Sequence, residues 1–266
     1  MTSIASAGSS GAVAPLRRLS RVPQPSASFW LVKVLTTGMG ETTSDYLVRT
    51  FAPELVVPVA AAVLAAVLLL QLRLRRYHPA MYWTTALMVS IVGTMAADVL
   101  HVGFGLPYLA SVIGFGILLA VVFIAWRRAE GTLSVHDITT GRRERFYWAA
   151  VITTFALGTA AGDLTASTLG LGYLGSAVLF AVAFAAPGVV YALVRRGPVV
   201  TFWIAYVLTR PLGASVADWF AVPTPRGGLD LGAGPVSLCL LAVFVLAVAL
   251  LSRRGRPSSR RRRHLA

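Results

Sequence analysis

The sequence predicts an all-α fold, a polytopic membrane helix bundle of eight transmembrane helices built from four parallel two-helix repeats. Three observations lead to this prediction: long apolar runs, arginines in alternate connections, and a motif that occurs four times. Of the 266 residues, 56% are hydrophobic and 13% are charged, which is too apolar for a domain whose whole surface faces water. Soluble, disordered and disulfide-rich classes are therefore excluded, the last because Cys239 is the single cysteine.

The apolar runs define the elements in chain order. A bilayer core of about 30 Å requires about 20 helical residues. Runs of that length, separated by Arg, Gly or Pro, cover residues 29–48, 54–72, 80–101, 106–126, 146–168, 171–194, 199–221 and 232–252. Alternate connections and tails hold 20 arginines on one side of these runs, and only Arg49 and Arg226 on the other. Because cytoplasmic loops are enriched in Arg and Lys, both termini are expected in the cytoplasm.

The net charge of +14 is concentrated in tails and loops. The domain boundaries that follow are a disordered basic N-terminal tail at 1–27, an eight-span membrane domain at 28–252, and an Arg-rich cytoplasmic tail at 253–266. The lipid bilayer is the expected partner, and the C-terminal arginines are expected to contact anionic headgroups. No nucleic acid is expected, because a tail beside a membrane span meets lipid first.

A fourfold repeat occupies the odd-numbered spans. Each copy reads aromatic, Trp, nine residues, Gly, three residues, a small residue, Asp. The tryptophans are Trp30, Trp83, Trp148 and Trp203, the glycines are Gly40, Gly93, Gly158 and Gly213, and the aspartates are Asp45, Asp98, Asp163 and Asp218. Trp and Asp are 15 residues apart in every copy, so chance does not explain the pattern. The repeats run over about 28–76, 80–128, 145–196 and 199–252.

At these Trp, Gly and Asp positions the sequence resembles a family of bacterial multi-pass proteins with four tandem, two-span copies of a "repeat of unknown function", also described as uncharacterised membrane-anchored proteins. The resemblance covers about residues 28 to 252. It implies eight spans in the bacterial plasma (inner) membrane. It brings no activity, no cofactor and no catalytic residues.

The tryptophans and glycines of the motif suit structural roles. With two spans per repeat, all copies enter the membrane in the same orientation, so the tryptophans are expected at the cytoplasmic end, where indoles favour the headgroup belt. The glycine and the small residue lie four apart on one face, a pattern that lets a neighbouring backbone approach closely. Both are therefore predicted to serve repeat packing and the membrane interface.

The four aspartates predict a layer of carboxylates at one depth. At 1.5 Å per residue each lies about 22 Å from its tryptophan, in the outer half of the membrane. A carboxylate at the bilayer centre costs about 2.5–3.5 kcal/mol on insertion scales, so it needs compensation. Charged residues on the same helical stripes are Glu41, Lys33 and Arg210.

Five acids, Glu41 and the four aspartates, thus accompany two bases, Lys33 and Arg210. Protons or a cation must neutralise the surplus in a medium of low dielectric. These seven residues are therefore predicted to form a substrate or cation pathway in a secondary transporter of a cation or a proton-coupled small substrate. The alternative is a non-transporting scaffold in which the acids only fix helix packing, with Asp45 paired with Arg210 or Lys33.

Catalysis and metal binding have weaker support. Neither HExxH nor GxSxG occurs, so no enzyme is expected. His101 follows Asp98 by three residues on the same face and is a candidate metal ligand or proton relay, the alternative being a hydrogen-bonded residue at the helix edge. The identity of any metal stays open, although carboxylate oxygens suit Mg²⁺, Mn²⁺ or Ca²⁺.

Overall fold

The computed structural model describes residues 20–254. Residues 1–19 and 255–266, and with them most of both predicted tails and their expected lipid contacts, lie outside the described residues. Eight long helices follow one another within residues 20–254. They are α1 (Ala27–Thr50), α2 (Pro53–Arg73), α3 (Pro79–Asp98), α4 (Tyr108–Glu130), α5 (Gly141–Asp163), α6 (Gly172–Val194), α7 (Pro198–Ala221) and α8 (Ala233–Arg254).

Local sequence signals explain where these helices begin and end. The hydroxyl of Ser26 accepts a hydrogen bond from the backbone N–H of Phe29 and caps α1, and Thr140 caps α5 in the same way. Proline occupies the first turn of α2, α3 and α7, where its missing N–H leaves no hydrogen bond unmade. Gly131 adopts φ 70° directly after α4, a left-handed conformation that glycine tolerates and that ends the helix.

Seven of the helices, α2 to α8, are long and apolar enough to cross a membrane. The sequence prediction counted eight such spans. Helix α1 is as long as the others at 24 residues, but Lys33, Glu41 and Asp45 and a series of Thr and Gly residues make it more polar. Its polar side chains are mostly buried against other helices, so α1 is an interior helix of the bundle.

The odd-numbered helices form the inner ring, in the order α1, α3, α5, α7 and back to α1. In the most apolar stretch of each helix, 56% of the residues are buried in α3, α5 and α7, compared with 11 to 17% in the outer helices α2, α4, α6 and α8. Polar and small residues are concentrated on the inner helices, whereas the outer helices expose apolar side chains such as Leu69, Ile117 and Val182. Such exposed faces suit lipid contact.

Each outer helix packs mainly against the inner helix of the following repeat. Thus α2 packs on α3, α4 on α5, α6 on α7, and α8 returns to α1. The connection between α1 and α8 includes a hydrogen bond between the hydroxyls of Thr43 and Ser237, 2.6 Å apart. The fourth repeat therefore closes the ring on the first.

Close approach between the inner helices occurs at the motif glycines. A Cβ added to any of these glycines would collide with a residue of the next repeat. In every case that residue lies eight positions before the aspartate of its own repeat. The glycine and partner pairs are Gly40 with Ser90, Gly93 with Phe155, Gly158 with Arg210, and Gly213 with Thr37. These four contacts follow one another around the ring.

The tryptophans occupy a different environment from the headgroup belt predicted for them. Trp83, Trp148 and Trp203 are at most 5% exposed and pack among other aromatic rings where the inner helices begin. Trp30 is half-buried between Phe29, Phe184 and Phe202. The expectation of indoles in the headgroup belt is wrong for the three buried residues because they lie on inner helices, where they fill the space between helix ends.

Candidate functional site

The four motif aspartates line one cavity at the end of the inner ring opposite the tryptophans. This acidic cavity has a volume of about 530 Å³, and Asp45, Asp98, Asp163 and Asp218 all contribute to its wall. The cavity reaches the surface, since Arg49, Glu54 and Val102 also line it and are exposed. One aspartate thus comes from each repeat.

Two of the aspartates mark a change in helix geometry. Asp98 ends α3 and Asp163 ends α5, and each is followed without a break by a π-helical turn, Val99–Gly103 and Leu164–Thr168. π-Helical turns are rare and occur frequently at functional sites. In the first and fourth repeats the α-helix continues past Asp45 and Asp218 instead.

The aspartates differ in their partners. Asp45 forms an ion pair with Arg49, at 2.6 Å, one turn later in α1. The side chains of Asp98, Asp163 and Asp218 make neither a hydrogen bond nor an ion pair within residues 20–254, although Asp218 is only 9% exposed. The pairing of Asp45 with Arg210 or Lys33, expected for a scaffold, is wrong because both bases lie deeper in the inner ring.

Glu41 forms the floor of the acidic cavity. Its Oε2 accepts hydrogen bonds from Arg210 Nη2, at 2.5 Å, and from the hydroxyl of Thr94, at 3.2 Å. Since Glu41 lies one turn before Asp45 in α1, it connects the acidic cavity with the interior.

Arg210 brings all four repeats together. Its Nη2 lies within hydrogen-bonding distance of the Glu41 carboxylate of the first repeat and of the hydroxyls of Thr94 of the second and Thr159 of the third, the last at 2.7 Å. These three acceptors occupy the same motif position, four residues before the aspartate. The guanidinium is fully buried, and Gly158 provides the space for its aliphatic part. The Arg210 cluster, as we name Arg210, Glu41, Thr94 and Thr159, thus closes the cavity.

Lys33 lies beyond the Arg210 cluster and does not face the acids. Its Nζ is 4.1 Å from the ring centre of Phe155 and 4.3 Å from that of Tyr206, distances typical of cation–π contacts. The ammonium is fully buried and has no hydrogen-bond partner among the described residues. The structure therefore separates Lys33 from the carboxylates that sequence reasoning placed beside it.

Three buried tyrosines continue the polar interior beyond Lys33. The hydroxyls of Tyr82 and Tyr147 are 2.5 Å apart, and that of Tyr206 lies 3.4 Å from Tyr147. Buried aromatic rings surround them at the tryptophan end. The interior thus changes from acidic to basic to aromatic along the ring axis.

Sequence reasoning missed several residues of the cavity wall. Glu54, Arg49 and Arg226 line the cavity, as do Tyr108 and Tyr173 from the first turns of α4 and α6. The two tyrosines occupy matching places in the segments GLPYLAS and GLGYLGS, and this match was the signal available in the sequence. The six acids of the wall outnumber its two arginines, and counting Arg210 still leaves three carboxylates without a base.

His101 does not join the aspartates. It lines a separate cavity with Tyr108, its Nδ1 lies 3.0 Å from the carbonyl oxygen of Leu106, and its ring packs against that of Tyr108. In the part of the chain that the structure describes, no group of three or more His, Cys, Asp or Glu side chains is placed to hold a metal ion. The carboxylates surround a space and do not converge on one point.

Comparison with protein families gives one match, in four consecutive segments. A family model described as "Repeat of Unknown Function (DUF347)" matches residues 28–77, 81–132, 146–197 and 201–257. No curated protein and no solved structure gives a significant match. The prediction of four tandem repeats is confirmed.

Proposed function

Because the chain belongs to the family of the repeat of unknown function DUF347, whose description states no activity, we propose a function from the site itself: an integral membrane protein that transports a cation, or a small substrate coupled to protons, through the acidic cavity. It is a secondary carrier of the bacterial plasma membrane, not an enzyme.

The proposed membrane arrangement has eight spans, with α1 included. Helix α1 packs against α3, α7 and α8, which are apolar enough to span a membrane. Equivalent motif positions meet near both ends of the inner ring, Phe29 with Phe202 at one end and the aspartates at the other. This supports parallel repeats around an axis near the membrane normal. The excess of arginine in alternate connections supports cytoplasmic termini in this arrangement.

One observation carries the transport proposal: Asp98, Asp163 and Asp218 face a shared cavity without any partner among the described side chains. Ionisable groups within membrane spans are costly and usually mark ion or substrate pathways. Carboxylates that only fixed helix packing would be hydrogen-bonded or paired across helices. A bound cation or protons would supply the missing positive charge.

A transport cycle requires access from both sides of the membrane. The acidic cavity ends at the Arg210 cluster, and a second cavity of about 850 Å³, lined by Phe29, Trp83 and Arg76, lies at the tryptophan end. Between them lie Lys33 and the three tyrosine hydroxyls. In the proposed cycle this closed segment opens while the cavity closes, so that the substrate gains access from the other face.

The scaffold alternative is favoured by the Arg210 cluster alone. Glu41, Arg210, Thr94 and Thr159 link all four inner helices and stabilise the ring. The unpaired aspartates have no such contacts. The Arg210 cluster is therefore assigned to assembly of the ring, and the aspartates are assigned to transport.

The experiment compares transport with assembly. Asp98→Asn and Asp163→Asn should leave the melting temperature of the purified protein unchanged, because these carboxylates hold no partner. In proteoliposomes, both should reduce uptake of the transported cation, identified from a panel of monovalent and divalent ions and protons, to the rate of empty vesicles.

Asp230→Asn is the matched control. Asp230 is exposed in the connection at the same end of the bundle and has φ 59°, a conformation that asparagine also tolerates. Its variant should transport like the parent. Unaltered flux in the cavity variants would contradict the proposal. Failure of these variants to assemble would also contradict it, because the carboxylates would then serve helix packing.

A further inference from the structure

We propose that the acidic cavity takes an organic ammonium ion, held by Asp98, Asp163 and Asp218 and by the rings of Tyr108 and Tyr173. This inference rests on the proposed transport function and names its substrate class. It is carried by the size of the cavity, its aromatic walls and the position of its unpaired carboxylates.

The size of the cavity fits an organic ion better than a bare metal ion. Its volume of about 530 Å³ lies within the range of small-molecule sites, which is roughly 300–1,000 Å³. A Ca²⁺ or Mg²⁺ site requires several oxygens at about 2.0–2.6 Å from one point. No such convergent group occurs among the described His, Cys, Asp and Glu side chains. Carboxylates distributed around a wall suit a cation with a body of its own.

Two tyrosines from different repeats supply aromatic surface to the cavity. Tyr173 is fixed by the hydrogen bond that its hydroxyl accepts from Arg226, at 3.1 Å, and the ring of Tyr108 packs against His101 at 4.1 Å. Fixed aromatic rings beside acids attract ammonium groups through the negative potential of the ring face. A hydrated metal ion would gain little from them.

Apolar residues complete the wall. Val57, Met95 and Val222 contribute apolar surface to the same cavity. Such surface favours alkyl substituents on the cation and is unfavourable for the water shell of an inorganic ion.

The charge distribution places the cation beside Asp98, Asp163 and Asp218. Asp45 already pairs with Arg49, and Glu41 at the floor pairs with Arg210. Asp218 is only 9% exposed, lines the cavity and has no partner within residues 20–254. The uncompensated charge thus lies among Asp98, Asp163 and Asp218, next to the tyrosines.

The test measures binding of defined probes to the purified full-length protein by isothermal titration calorimetry. The organic probes are tetramethylammonium and butylammonium, and the inorganic probes are Mg²⁺ and Mn²⁺. At least one organic probe should bind, and Asp163→Asn should abolish its binding. The double variant Tyr108→Leu/Tyr173→Leu should weaken it by about tenfold, as expected for loss of two cation–π contacts. Tyr108→Phe/Tyr173→Phe keeps both rings but loses the hydrogen bond from Arg226 to Tyr173, so it should bind more tightly than the leucine variant.

The outcomes separate this inference from the transport proposal. Binding and flux of Mg²⁺, Mn²⁺ or protons that depend on Asp163, without binding of either organic probe, would overturn the ammonium inference and leave the transport proposal standing. Equal affinity of the leucine and phenylalanine double variants would also overturn it. Absence of both binding and flux for every ion would overturn both proposals.

Discussion

At the scale of single residues, Arg210 is the side chain through which the fourth repeat contacts the other three. Its guanidinium is fully buried, its Nη2 lies within hydrogen-bonding distance of side chains from three other repeats, and its Nε and Nη1 have no partner among the described residues. Removing a charged pair from water is costly, and the contacts with Glu41 and the two threonines offset that cost. Glu41 is the single acid in this cluster, so the neutrality of the buried group depends on it.

We expect Glu41→Gln to destabilise the protein strongly, because it leaves the Arg210 charge buried without a counter-ion. Breaking a buried pair from one side costs about 3–5 kcal/mol. The measurement is thermal or denaturant unfolding of the purified protein in detergent. Asp163→Asn is the matched control, since it neutralises a carboxylate that has no partner among residues 20–254.

The double variant Glu41→Gln/Arg210→Met tests whether the loss of stability in Glu41→Gln comes from the uncompensated charge of Arg210. Because it removes both charges, it should recover part of the stability lost in Glu41→Gln. Equal stability of the parent and Glu41→Gln would show that the ion pair does not hold the ring together.

At the scale of helices, the close packing of the ring depends on its four glycines. Each lies against one position of the next inner helix, and a Cβ at Gly158 would overlap the Cβ and Cγ of Arg210. In lipid, helices associate through close packing and polar contacts, because hydrocarbon tails are as apolar as the helix surface. Small residues therefore determine which helix faces can meet.

We expect Gly158→Ala to lower the stability by about 1–3 kcal/mol, the usual cost of overpacking a dense interior. The control is Gly114→Ala in α4, where no other atom lies within 4 Å of the added Cβ. This control should be neutral or slightly stabilising, because alanine is the better helix former. Melting temperatures in detergent measure both. Equal effects of the two substitutions would contradict the packing described for the ring.

At the scale of the whole molecule, the ring closes because α1 packs on both α7 and α8. The four repeats are therefore not a linear array with free ends, and the acidic cavity is complete only when the first and fourth repeats meet, since Asp45 and Asp218 come from them. An open array would leave polar faces of α1 and α7 in lipid, which is costly.

A disulfide across this closure is expected from the contact of Thr43 with Ser237. Hydroxyls in contact place the two Cβ atoms near the spacing that a disulfide requires. In a Cys239→Ser background, Thr43→Cys/Ser237→Cys should lose both free thiols on mild oxidation, counted by maleimide labelling. The pair Thr43→Cys/Ser111→Cys joins α1 to α4, which packs on α5 across the ring, and should keep them. Persistent free thiols in the first pair would contradict the closure.

The sequence by itself determined the helical class, the four repeats and the recurrence of the aspartate at one position of every copy, because composition and spacing are properties of the chain alone. Even the polar stripe of α1 was visible in it. Only the tertiary structure decided that Glu41 pairs with Arg210, that three of the four motif tryptophans are buried, that Lys33 is apart from the acids, and that Tyr108 and Tyr173 join the cavity. The reason is that an apolar helix face looks the same in sequence whether it meets lipid or another helix. Partners depend on shape and on close approach, which arise when all eight helices pack together.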